Sequence, residues 1–138
     1  MIKADSGSLS VVRFQDGERL PHALAGLGVR AAALVCGVGM LRDVVLGYWD
    51  GSSYLEEPLP EPVELLSLQG NLGEQNGQVI VHAHLVVGKR GGAAVGGHLL
   101  SATVHNTAEL VIHRLPNVRM VRRPEPTGLA GLYPEEAD

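Results

Sequence analysis

The stretch from Gln78 to Leu100, QVIVHAHLVVGKRGGAAVGGHLL, leaves the backbone few options. Val79 to Val87 is a β-branched, mostly apolar run, Gly88 to Gly92 holds three glycines and two cations, and Ala93 to Leu100 is apolar again. This pattern predicts a hairpin. His82 and His84 stand two residues apart, so the period of a strand puts both imidazoles on one face. If Val87 faces Ala93 across a tight turn, His82 stands opposite His98, and Gly96 stands opposite His84. Directly opposed Cβ atoms lie about 4.5–5.5 Å apart, near enough for three rings to converge on one ion at about 2.0–2.1 Å per Zn–N bond. Gly96 and Gly97 keep the floor beneath the rings clear.

The chemistry of such a set is that of a metal centre. Neutral imidazole suits zinc and no thiolate accompanies it, so zinc is the first choice, although another divalent transition metal such as nickel, copper or iron would accept the same ligands. Three protein ligands leave a fourth position free, as in catalytic zinc sites. The competing reading makes the histidines ordinary strand residues and the glycines parts of a bulge.

Composition narrows the remaining classes. With 138 residues, 45% apolar and 19% charged, the chain can bury one adequate core. No apolar run approaches the ~18 residues of a membrane span, and Met1-Ile2-Lys3-Ala4-Asp5 has no export signature, so a cytoplasmic location is expected. The single cysteine excludes an internal disulfide. A net charge of −4 disfavours unaided binding to nucleic acid, and aromatic residues at 4% offer little for base stacking.

Along the chain, Ser8–Phe14 reads as a strand. Asp16-Gly17-Glu18 reads as a helix start with Asp16 as N-cap, and Leu20, Leu24 and Leu27 form the buried stripe. His22 lies off that stripe, and Gly26 and Gly28 end the helix. Arg30–Val38 predicts a strand buried on both faces, with Cys36 as a small buried hydrophobe. Gly37-Val38-Gly39 lacks the third glycine of a dinucleotide fingerprint, because Arg42 stands there. Asp43–Trp49 and Tyr54–Leu59 flank the turn Asp50-Gly51, Glu64–Gly70 is a further strand, Asn71–Asn76 a polar turn, and Thr107–Arg114 a closing strand. Residues 117–138 read as an extended Pro-rich tail after a domain over 1–116. Arg114, Arg119, Arg122 and Arg123 read as a solvated cationic run.

These elements predict an α+β fold, a mainly antiparallel sheet of about seven strands with one main helix. A sheet this apolar under one helix needs a partner, so self-association is expected.

The strings Cys36-Gly37-Val38-Gly39-Met40-Leu41-Arg42-Asp43, Leu46-Gly47-Tyr48-Trp49-Asp50-Gly51, Glu61-Pro62-Val63-Glu64-Leu65-Leu66-Ser67-Leu68-Gln69-Gly70-Asn71, His82-Ala83-His84 and Gly96-Gly97-His98-Leu99 resemble the plants and prokaryotes conserved (PPC) domain family over about residues 8–115. The resemblance implies a homotrimer, and, as in prokaryote-type members, a metal on His82, His84 and His98. Plant members carry this domain beside AT-hooks in DNA-binding proteins. Here Arg122-Arg123-Pro124 lacks the glycine of an AT-hook core.

Three functions follow as expectations. The first is a metal-binding homotrimer that binds or turns over a small ligand, with Glu64 or Glu109 to orient that ligand or accept a proton. The second is a DNA-associated regulator. The third is a structural trimer with a stabilising metal.

Overall fold

The computed structural model describes residues 1–138 as ten strands and one helical turn. In chain order these are β1 (Ile2–Ser6), β2 (Leu9–Gln15), β3 (Arg19–Leu20), α1 (His22–Ala25), β4 (Ala32–Trp49), β5 (Tyr54–Leu59), β6 (Val63–Gln75), β7 (Gln78–Gly88), β8 (Ala94–Arg114), β9 (Val118–Pro124) and β10 (Ala130–Glu136). Strand accounts for 70% of the chain and helix for 3%, with no helix of seven residues or more. The expected α+β architecture with one main helix is therefore wrong: the protein is nearly all sheet.

The reason lies in the segment after β2. Gly17, Pro21, Gly26 and Gly28 interrupt every attempt at a sustained run of helical hydrogen bonds, and a short helix cannot offset the cost of its own nucleation. Arg19 and Leu20 pair with Thr103 and Ala102 of β8 instead. Leu20 and Leu24 still reach the core and Leu27 packs against it, so the apolar spacing marks burial without marking a helix. Asp16 is not an N-cap. Its carboxylate accepts hydrogen bonds from the Asn106 amide and the Arg42 guanidinium, each at 2.8 Å.

Nearly all pairing is antiparallel, and the ladders β4–β6, β6–β7, β7–β8 and β8–β4 return to their starting strand. The sheet thus curls round one core, into which Phe14, Leu41, Leu68, Leu72, Leu110 and Ile112 point. Long strands can bend this far because register shifts interrupt the β4–β8 ladder, as between Leu34 and Cys36 and between Arg42 and Val45. The two strands expected over Arg30–Val38 and Asp43–Trp49 are one bent strand, β4. Its face away from the core has no covering layer, so Val35 and Val38 are about half exposed. Cys36 is exposed too, against the expectation of a buried thiol, because the shift at Leu34/Cys36 turns it outward.

β6 continues past the expected polar turn to Gln75, which pairs with Gln78. Asn76 and Gly77 alone make the reversal, with φ of 51° and 77°, as a two-residue hairpin turn of mirror-image type requires. Residues expected as a tail form the β9–β10 hairpin, and β9 runs parallel to β6 at Glu74↔Val121.

One glycine governs how close β6 comes to β7. Gly70 has φ of 154°, and a Cβ there would meet the His82 carbonyl oxygen at 1.9 Å. That contact is with backbone, so β7 would have to move. Gly70→Ala should lower stability by about 2–4 kcal/mol, read as an earlier midpoint in urea denaturation.

Candidate metal centre

β7 supplies two imidazoles and β8 the third. His82 pairs with Asn71 of β6, His84 pairs with Gln69 of β6 and with His98 of β8, and His98 also pairs with Gly47 of β4. His84, rather than His82, is therefore the residue opposite His98. The loop takes Lys89–Ala93, with the Lys89 amide donating to the Ala93 carbonyl, so that Val87 faces Val95 instead of Ala93. A shift of two positions preserves the face of every side chain, and the three rings still meet.

Ring centroids are 5.0 Å apart for His82–His84, 5.6 Å for His82–His98 and 5.3 Å for His84–His98. One ring nitrogen from each lies within 4.8 Å of the others, and the Nε2 atoms of His82 and His84 are 3.2 Å apart. Two ligands at about 2.0–2.1 Å on a tetrahedral ion would be about 3.3 Å apart. The donor set therefore fits a zinc-sized ion. Burial, then Arg122 and His84, lowers the pKa of His82. Burial, then His84 and His82, pushes His98 down to about 4. Both rings are neutral at pH 7, the form that coordinates metal.

Two further residues frame the cluster. Tyr54 stacks on His98 at 4.6 Å between centroids, and its hydroxyl lies 3.5 Å from His98 Nδ1. Trp49 meets Tyr54 edge-on at 5.2 Å. Arg122 of β9, only 9% exposed, donates to Asn71 Oδ1 at 2.7 Å and to the Ala130 carbonyl at 3.3 Å, and lies 3.2 Å from His82 Nδ1. Neither was assigned to the site from sequence. Arg122 carried one usable sign, because Met120, two positions earlier, shares its inward face. The neighbouring cations behave differently: Arg119 pairs with Glu74 and Glu135, and Arg123 with Glu135.

A recess of 230 Å³ opens beside His82 and His98, walled by Tyr54, Ile80, Val81 and Leu129. A second of 270 Å³ flanks His84 on the side of Gln69 and Gly96. The largest hollow, 540 Å³, lies elsewhere, near Arg30 and Arg114. Glu64 and Glu109 are not brought to the imidazoles. Glu64 is exposed near the start of β6, opposite Met40 and Gly88, and Glu109 is exposed in the second half of β8, opposite Arg13 and Val38.

A curled antiparallel sheet with three histidines on adjacent strands defines a class that comparison with known proteins identifies. The family model of the Plants and Prokaryotes Conserved (PCC) domain matches residues 1–116. The chain belongs to that family, whose name is also abbreviated PPC. A plant- and prokaryote-conserved protein from Pyrococcus horikoshii superposes with a TM-score of 0.86 at 31% identity, covering 92% of each chain. A metal-containing protein from Archaeoglobus fulgidus gives 0.83 at 30% identity, over 96% of this chain and 99% of that one. A proposed DNA-binding protein from Bacteroides thetaiotaomicron gives 0.89 at 25% identity, over 96% of both. The bifunctional protein GlmU of a Synechococcus strain is 32% identical over 135 residues, 92% of this chain, but the chain spans only 20% of its length.

The lowered pKa of His98 has a sign that can be checked without metal. Between the unfolded value of about 6.5 and the folded value of about 4, the unfolded chain binds the extra proton, so stability falls as pH drops through this window and levels off below it. His98→Asn should flatten that part of the stability–pH profile, measured by chemical denaturation of chelator-treated protein.

Proposed function

We propose that this protein is a homotrimeric metal-binding PPC protein, in which His82, His84 and His98 hold a zinc ion and a small ligand binds beside it. The observation that carries the metal reading is the convergence of three ring nitrogens within 4.8 Å, two of them 3.2 Å apart. A metal-containing relative of the same fold supports it. Held by His82, His84 and His98, a zinc ion would supply Lewis-acid polarisation of a ligand oxygen. The chain's own groups do the rest: Tyr54 fixes the plane of His98 by stacking, and the apolar wall of Ile80, Val81 and Leu129 limits water.

Self-association is supported by the outer face of the sheet. Val38, Leu66 and Val86 are 51%, 50% and 41% exposed on three successive strands, β4, β6 and β7, beside the pairs Gly39↔Leu65 and Ser67↔Val86. An apolar stripe of this kind suits a contact between copies of the chain. Leu66→Asp should reduce the mass measured by light scattering from three times 14.6 kDa to that of one chain.

A second reading, association with DNA, draws on the Bacteroides relative. Net charge −4 and the internal pairing of Arg119 and Arg123 work against it. It requires binding that weakens steeply with salt, and fluorescence anisotropy that stays flat at low salt would eliminate it.

Elemental analysis of untagged protein tests the main reading. The expected result is about one zinc per chain, with affinity falling by at least about 100-fold in His84→Ala, more than the usual cost of losing a ligand's outer partner. Protein that takes up no divalent transition metal would refute it.

A further inference from the structure

Arg122 is a cation with no anion. It is 9% exposed, its three hydrogen-bond partners are all neutral, and its Nε is buried without an acceptor. Guanidinium stays charged in a protein, and an uncompensated buried charge is costly. The same side chain borders the 230 Å³ recess next to His82 and His98, whose remaining walls are mostly apolar. A single buried cation at the edge of a small apolar recess matches an organic monoanion better than a dianion, which would call for a second positive group.

We propose that this recess binds a small monocarboxylate, its carboxylate against Arg122 and its alkyl body against Ile80, Val81 and Leu129. The second contact follows from hydrogen-bond polarity and rests on the metal reading above. Arg122 Nη2 faces His82 Nδ1 at 3.2 Å, and a guanidinium only donates, so Nδ1 is the acceptor and the ring proton sits on Nε2. A ring that gives its Nε2 lone pair to a metal carries its proton on Nδ1. Two donors then face each other, and a carboxylate oxygen can accept from both. Arg122 and Leu129 lie beyond residue 116, outside the segment that the family model matches. This ligand pocket therefore belongs to the β9–β10 hairpin as much as to the shared domain.

The test is isothermal titration calorimetry of the full chain with isobutyrate, in chelated and zinc-loaded form, with isobutanol and isobutylamine as controls. Saturable binding of isobutyrate alone is expected. Arg122→Gln should weaken it about tenfold to hundredfold, the loss of a charge-assisted hydrogen bond. Leu129→Trp, which fills the recess and keeps the cation, should abolish it. Absence of saturation in both forms, or unchanged affinity in Leu129→Trp, overturns the proposal, and the latter variant decides alone if Arg122→Gln does not fold. Protein that binds zinc but not isobutyrate loses the carboxylate site and keeps the metal centre. Protein that binds isobutyrate through Arg122 yet takes up no zinc does the reverse.

Discussion

β7 is hydrogen-bonded to β6 along its whole length and to β8 from His84 to Gly88, and this pairing fixes the site. A strand held on two sides cannot slip by one residue without turning its inward Ala83, Leu85 and Val87 to solvent. Those residues are within 2% of complete burial, so the core penalises any slip. The facing direction of His82 and His84 is thus set by the apolar residues between and beside them. His98 is locked in the same way, since its neighbours in the β7–β8 and β4–β8 ladders are paired in turn.

Electrostatics at the cluster runs in one direction. Burial already favours neutral rings at His82 and His98, and Arg122 adds a positive charge beside His82. Both influences keep the rings in the neutral form. The arrangement differs from the common outer shell of a metal-bound histidine, where an acceptor receives the second ring proton. Here the group at Nδ1 of His82 is a donor.

The hairpin, the shared face of three histidines and the apolar stripe through Leu20 and Leu24 were legible because each follows from local periodicity. Leu20, Leu24 and Leu27 have helical spacing, but Pro21 and Gly26 among them confine the helix to the single turn α1, so the spacing misleads on fold class. The exact partner of His98 depends on how many residues the loop after Gly88 absorbs, which composition does not tell. Nothing local in the sequence signals the bulge at Leu34 that turns Cys36 outward. Tyr54 and Arg122 come to the histidines only through tertiary pairing, by way of β5 on β4 and β9 on β6. A run of four arginines is most simply read as solvated, and only the inward Met120 distinguishes Arg122 from its neighbours.

The attachment of the terminal hairpin carries a consequence of its own. A Cβ at Gly73 would meet the Met120 carbonyl oxygen at 2.5 Å, so β9 lies flush on β6 only because position 73 has no side chain. Any bulkier residue there would act as a shim under the hairpin, lifting the guanidinium off the imidazole and widening the chamber. The width of the recess is therefore set in part at a position that does not line it.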